Sequence, residues 1–501
     1  MFLSLVLILF VCLQCNFNCQ NIYLGDLNTL ESVYNSTNGD NWDLHPGSGI
    51  GVAWNFTAAY LNPSIPCNTN KSIGWYGLHC NSDCGTNSAE ECRVVNLILE
   101  EMQIYGSLPC VLSTLTNLTN LNMMKNSLYG TICDGFGSLA SLQRLFLAEN
   151  MLSGTIPSTF GNLSIMIELN VTQNYLHGTL PLSMFTGIPN MEILYISHNY
   201  FSGDFPSGIV VWNESLLMFD IASCGFDSSI PSWIGGLSRL QILNVEFNSL
   251  TGTVPDGLWT IGTLLGLDLE GNYFVGSISS SISQLSSMQV LNLAENQFTG
   301  VVLPYFASDV GSYMPDLFVL DLSDNRFEGS LPLAFGSIES MRFLYIYGNH
   351  FTGSISDNLL AYSDITQIIV SSNQFTGTLP NALAQVTTLE ILDFFGNRFT
   401  GGIPSTYNLF PTLASIDLGG NFLSGTIPSD MGSLTSLDFL GLDDNRFTGS
   451  IPGGLGELSA LATFIVKENL LSGFEYDSFT ADILQNLSLE VFDFRYVANG
   501  T

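Results

Sequence analysis

Five histidines, ten cysteines and forty-four acids are the side chains of this 501-residue chain that could do chemistry. A nucleophile needs a base within hydrogen-bond reach. The histidines (His45, His79, His177, His198 and His350) are scattered, and no two share a neighbouring position in the pattern described below. Cys80 and Cys84, with His79 beside them, have a spacing that zinc could use, but one nearby histidine makes a thin ligand set. The recurrent glycines are periodic, unlike a phosphate-binding loop. No catalytic residue, metal site or cofactor is expected. The acids differ, because they recur at fixed distances before a periodic asparagine. Asp220, Asp268, Asp321, Asp393 and Asp417 stand four residues before it, Glu246, Glu270 and Asp443 two before, and Glu295, Asp324 and Asp444 one before. Such a column could bind a cation: a basic ligand, or calcium bridging carboxylates. A glycosidase would need two acids in distinct environments rather than a ladder.

Those positions have meaning only through the elements that hold them. Asparagines recur at Asn126, Asn150, Asn174, Asn199, Asn248, Asn272, Asn296, Asn325, Asn349, Asn373, Asn397, Asn421, Asn445 and Asn469, with Cys224 in the place of one and Met102 as a degenerate first copy. Around each, the chain repeats itself, as in Leu142-Gln143-Arg144-Leu145-Phe146-Leu147-Ala148-Glu149-Asn150-Met151-Leu152-Ser153-Gly154-Thr155-Ile156-Pro157. Alternating apolar residues before this anchor predict a short strand with Leu145 and Leu147 inward. The asparagine should turn inward and satisfy backbone groups left open by the bend. A second buried position follows two residues later, filled by Leu152, Phe201, Phe226, Phe274, Phe298, Phe327, Phe351, Phe375, Phe399 and Phe447. Glycine four residues after the anchor permits a tight course, and proline three later should stop the local structure. No copy can bury its own apolar face, so the copies must stack, with their strands side by side in one parallel sheet.

The run L-x-x-L-x-L-x-x-N-x-L-S-G-x-I-P resembles the plant-type leucine-rich repeat, over roughly Val94 to Gly473. That family includes receptor ectodomains, secreted polygalacturonase-inhibitor-like proteins and many protist surface proteins. The segment ahead, with Trp42, Pro66-Cys67 and Trp75-Tyr76-Gly77-Leu78-His79-Cys80, looks like the family's protist-style N-terminal cap. The resemblance implies an α/β solenoid. Its form is a leucine-rich-repeat right-handed superhelix with a parallel sheet on the concave face. Short 3-10 and loop segments lie on the convex face, and a disulfide-stapled cap closes the N-terminal end. The expected organisation is a signal peptide over 1–19, the cap over 20–93, about sixteen 24-residue repeats over 94–473, and a C-terminal cap or truncated end over 474–501. The Cys67–Cys80 bridge follows from the family cap. Cys84–Cys92 follows from proximity, and Cys110–Cys133 from equivalent places on adjacent turns, other pairings of the six remaining open. Cys224 should be a buried, unreactive thiol replacing the anchor amide.

An apolar opening, Met1 to Cys15, reads as a secretory signal, and no later stretch reaches the length of a membrane span. Glycosylation sequons stand at Asn35, Asn55, Asn70, Asn117, Asn162, Asn170, Asn213, Asn486 and Asn499, so a secreted or cell-surface glycoprotein is expected. A net charge of −33, from 44 acids against 11 Lys and Arg, argues against nucleic acid and anionic membranes as partners. From the Cys224 repeat to the Asn445 repeat, no outward strand position carries Lys or Arg. Interleaved with the acids are Phe247, Phe343, Tyr345, Tyr347 and Phe395. Together these residues form the expected ligand-binding face. The bland alternative is that outward positions are polar anyway, and that Asp four before the anchor is a habit of the family. The implied function is a receptor-like or inhibitor-like binding protein for an extracellular protein, peptide or glycan, a basic one being what the acids favour, with a co-receptor as a further partner. A structural or adhesive protein is the alternative, which a Ser/Thr ladder (Thr155, Thr179, Thr253, Ser277, Ser330, Ser354, Thr378, Thr426, Ser450) could lay against a polysaccharide or ice surface.

Overall fold

The computed structural model of this chain describes residues 24–39, 78–81, 92–302, 305–308, 311–331, 338–357, 364–381, 383 and 386–474. The expected signal segment, Cys67, Cys84 and the sequons at Asn55, Asn70, Asn486 and Asn499 lie outside them. The chain divides into two compact units, Met1–Asp227 and Ser228–Thr501.

After Val94–Ile98, each repeat begins with a three-residue strand whose middle side chain is buried, as in Arg144–Phe146 with Leu145 inward. In the N-terminal unit these strands run in parallel register from Val94–Ile98 to Met218–Asp220, with Leu97, Leu121, Leu145, Leu169, Leu194 and Phe219 in one buried row. The C-terminal unit repeats the arrangement from Ile242–Asn244 to Thr463–Ile465. The fold is thus a solenoid of stacked repeats around a parallel sheet.

What ends each strand is a left-handed residue immediately before the anchor: Glu149 at φ 53°, Phe247 at 49°, Gly271 at 62°, Asp444 at 50°. That turn drops the asparagine into the core, where its amide is fully employed. Asn272 Oδ1 accepts from the Leu250 N–H at 2.9 Å, and its Nδ2 donates to the carbonyls of Val245, Leu269 and Glu270 at 2.9, 3.2 and 3.0 Å. The anchor therefore clips its own bend and completes the repeat before it. Cys224 takes this place with a single sulfur, 3.6 Å from the Ile196 carbonyl, and burial pushes its thiol up to about 12. It is half-buried, and the raised thiol keeps its proton at neutral pH.

Besides the expected 3-10 segments, residues just after the anchors form further parallel strands, a six-stranded sheet in the N-terminal unit and a ten-stranded one in the C-terminal unit. Proline follows the end of the strand, as Pro452 follows Arg446–Ile451, and starts the next element. Pro157, at φ −62° and ψ 138°, caps the 3-10 segment Ser158–Asn162, and Pro428 does the same for Ser429–Ser433. The glycines do meet a close approach. A Cβ on Gly178, at φ +84°, would lie 3.1 Å from the Thr155 methyl of the preceding repeat. That contact gives the Ser/Thr ladder a packing role.

Inside the C-terminal unit, Phe274, Phe298, Phe327, Phe351, Phe375 and Phe399 form a continuous stack with centroids 5.8–6.4 Å apart and planes within 10–17°. The longer repeat after Asn296 spends its extra residues on a small hairpin, Ala307–Ser308 against Gly311–Ser312. At the N-terminal end, helix Leu24–Ser36 places Asp26, 1% exposed, against Arg93 at 3.1 Å, where it also accepts from the Val94 N–H at 2.9 Å. Sequence reasoning had no signal for this pair, which lies 67 residues apart. The Cys110–Cys133 disulfide is present, with Cα atoms 5.6 Å apart. Cys80 and Cys92 are also disulfide-bonded.

Candidate functional site

The sheet face of the C-terminal unit gathers most of the expected ligand-binding residues; Asp220 belongs to the N-terminal unit and stands apart in this description. Register sets the columns. Four residues before the anchors, Asn244, Asp268, Asn292, Asp321, Tyr345, Ile369, Asp393 and Asp417 stand side by side on successive strands.

The aspartates of this column have a task that sequence alone did not reveal. Asp268 Oδ1 accepts from the Glu270 N–H at 3.0 Å, Asp321 Oδ1 from Ser323 at 2.9 Å, Asp393 Oδ1 from Phe395 at 2.9 Å and Asp417 Oδ1 from Gly419 at 3.0 Å. Asp220 does the same for Ala222. Asparagine makes the identical bond elsewhere in the column, Asn244 to the Glu246 N–H and Asn292 to the Ala294 N–H. The side chain thus closes the strand end, which needs an oxygen at that distance and not a charge. The pattern of Asp or Asn at one place was the available signal.

The remaining acids stand one or two residues before the anchors. Glu295, Asp324 and Asp444 are exposed, while Glu246, Glu270 and Asp443 are half-buried. Carboxylate oxygens of Glu246, Asp268 and Glu270 lie within 4.8 Å of one another, the one such group among the described residues that could hold a metal ion. Asn292 Nδ2 donates into the same cluster, to Glu270 Oε2 at 2.7 Å and Asp268 Oδ2 at 3.1 Å. Burial pushes the Asp268 carboxyl up to about 7, helped by Glu246 and Glu270 and opposed by its hydrogen bonds. Burial, with Asp393 and Asp443 nearby, pushes Asp417 up to about 6.

A stability consequence follows. Both carboxyls bind a proton more tightly folded than unfolded, so their contribution is complete below about pH 4 and is lost as pH rises towards 6 for Asp417 and 7 for Asp268. Asp417→Asn keeps an oxygen for the Gly419 N–H and removes the charge. It should raise the melting temperature by a few degrees at pH 8 and change it little at pH 4. Loss of stability at both pH values would mean that the carboxylate is needed as such.

The aromatic residues divide. Phe343 packs edge-on against Phe318 at 5.3 Å and lies 6.2 Å from Tyr345, whose hydroxyl donates to Gln367 Oε1 at 2.7 Å. Tyr347 is hydrogen-bonded with Ser323. These three are half-buried, whereas Phe247 and Phe395 are 47% and 38% exposed. Phe247 lies over the next repeat's Gly271, where a Cβ would sit 2.4 Å from its ring, and Phe395 lies over Gly419 and Gly420. Arg326, Arg398 and Arg446 stand one residue after their anchors, off these columns, with the Arg446 guanidinium 4.8 Å from the Phe422 ring centre.

Among the described sequons, Asn35, Asn117 and Asn162 are exposed and Asn213 half-buried, while Asn170 stands in the main sheet with its Oδ1 accepting from the Thr172 N–H. The described histidines stay apart: His79 and His177 lie on separate strands, His198 at a left-handed turn and His350 at the start of another strand. Among the described residues, no helix is long and apolar enough to cross a membrane.

Comparison with known proteins agrees with this architecture. Models of the leucine-rich repeat match residues 140–201, and 239–261, 316–338 and 412–434. Receptor-like protein 7 of Arabidopsis thaliana is 26% identical over 189 residues, which cover 37% of this chain and 15% of that protein. The matched segments span only 10–18% of the curated relatives' own lengths. Among solved structures, the plant peptide hormone receptor RGFR1 in complex with RGF2 is similar at 30% identity and a TM-score of 0.68, covering 78% of this chain and 66% of that one. The PEPR1–AtPEP1 structure is similar at 27% identity and a TM-score of 0.62, over 94% of this chain and 68% of that one.

Proposed function

We propose, for a chain that is a plant-type leucine-rich-repeat protein, that it is an extracellular, receptor-like binding module whose C-terminal sheet face takes a basic peptide. The observation that carries this reading is a face rich in carboxylates, with no Lys or Arg on its outward strand positions from the Asn248 repeat to the Asn445 repeat. Burial, aided by repulsion between close carboxylates, holds protons on two of them into the range of pH 6–7. A cationic ligand relieves that repulsion and draws the protons off. Phe247 and Phe395, exposed beside the two acidic clusters, offer apolar contact at either end. The relatives support the class of ligand: the structures similar at 25–30% identity include a peptide hormone receptor captured with its ligand.

The test uses acids one or two residues before the anchors. A random dodecapeptide library panned on the secreted protein should return Lys- and Arg-rich sequences. The combined substitutions Glu246→Gln, Glu270→Gln and Glu295→Gln should weaken a selected peptide by about tenfold or more, mostly through slower association. Affinity should fall with added salt, since exposed charges are screened over about 8 Å at physiological ionic strength. It should rise from pH 5 to pH 8 as Asp268 and Asp417 ionise. Selection of neutral or acidic peptides, or an affinity indifferent to salt and to the triple substitution, would leave the acids as a solubility device alone.

A further inference from the structure

A groove of about 510 Å³ crosses four repeats of the N-terminal unit, along the edge where the chain turns before each anchor. One wall is built from the left-handed residues themselves, Glu101, Lys125, Glu149 and Gln173, at φ 53–56°. The opposite wall carries Met151 and Tyr175, each one residue after its anchor. The floor is made by anchor asparagines whose amides are already spent: Asn150 Nδ2 donates to the carbonyls of Met123, Leu147 and Ala148, and its Oδ1 accepts from Leu128 N–H. Anything held in this groove is held by the walls.

The walls restrict the ligand. Along the polar side an acid, an ammonium, an acid and an amide follow one another, so acceptors and donors alternate. A polyanion would meet Glu101 and Glu149, while a polycation would meet Lys125, whose Nζ lies 3.7 Å from Glu100 Oε1. On the other side, the Tyr175 ring is 51% exposed and stacks on Tyr200, 64% exposed, with centroids 6.2 Å apart and planes 12° from parallel. The exposed tyrosine pair continues the apolar side of the groove into the next repeat. Core packing does not require them there.

A ligand with uncharged donors and acceptors on its edges and an apolar flat face matches both walls; that is a pyranose sugar. The wall residues recur once per strand, about 4.8 Å apart, and an extended β-linked sugar chain advances by a comparable step per residue. We propose that this groove is a binding site for a neutral, extended β-1,4-linked glycan, with Tyr175 and Tyr200 as the stacking platform and Glu149 and Gln173 as hydroxyl partners. The site lies in the other unit from the acidic face, and its existence does not depend on a peptide binding there.

Cellohexaose and chitohexaose, titrated separately into the secreted full chain by calorimetry, are the probes. At least one should bind saturably. Tyr175→Ala should weaken it by about tenfold, as should Gln173→Ala with Glu149→Ala, while Arg446→Ala in the other unit should leave it unchanged. Tyr175 is exposed, so the variant should melt with the parent, and a melting scan separates lost binding from lost fold. Absence of saturable binding by either sugar, binding indifferent to Tyr175→Ala, or displacement of the sugar by hexalysine with the same sensitivity to Tyr175→Ala would overturn the assignment.

Discussion

Phe351→Ala will lower the unfolding free energy of the C-terminal unit by about 3–5 kcal/mol. Phe351 is fully buried and sits mid-stack, 6.4 Å from Phe327 and 6.3 Å from Phe375. Truncation removes contacts on both sides, and the rings above and below cannot collapse into the gap because each is tied to its own backbone strand. The column itself supplies a control. Leucine fills the equivalent place in other repeats, at Leu152, Leu176, Leu250 and Leu423, so Phe351→Leu should cost about 1 kcal/mol. Denaturant unfolding monitored by amide exchange of the C-terminal unit reads both. Equal costs for the two substitutions would show that the stack contributes little beyond generic burial.

Asn272→Ala should be nearly as severe and for a different reason. The substitution leaves the buried Leu250 N–H without an acceptor and removes the donor shared by the Val245, Leu269 and Glu270 carbonyls. Each buried group left unsatisfied costs about 1–3 kcal/mol, so a loss of about 3 kcal/mol or more is expected. Amide exchange at Leu250 should accelerate before the rest of the unit responds. The chain already contains a natural variant of this experiment in Cys224, where a sulfur stands near the Ile196 carbonyl. Asn272→Cys should therefore fall between the parent and Asn272→Ala. An unfolding midpoint for Asn272→Ala within error of the parent would mean that water replaces the amide, and that the anchor is not what holds the bend.

The repeat, its buried rows and the inward asparagine were legible in the sequence because each depends on a residue type at a fixed interval. The second sheet was not. Its strands are bonded through backbone groups, and the side chains along them, such as His350, Thr352 and Ser354 around Phe351, alternate too weakly to announce a strand. The left-handed position before the anchor was also hidden, since it holds glutamate, lysine, glutamine, phenylalanine or glycine with equal ease in different repeats. Only Gly271, Gly348, Gly396 and Gly420 hint at it. The acidic columns were legible as columns, but the part their aspartates play in closing the backbone needed distances. The Asp26–Arg93 pair, which brings together residues 67 apart in the chain, needed the fold itself.

The asparagine bonds carry a polarity. Each anchor reaches back to the N–H two residues past the previous anchor, and to the carbonyl three residues before it, as Asn349 does to Phe327 and Leu322 and Asn445 to Leu423 and Leu418. In these side-chain bonds a repeat is finished by its successor. For a chain emerging from a ribosome this sets a direction of growth. Every newly arrived anchor seals the turn already laid down, and only the youngest turn waits with an unmet N–H. Construction can follow synthesis at a lag of one repeat, and the array never needs its far end to make its beginning sound.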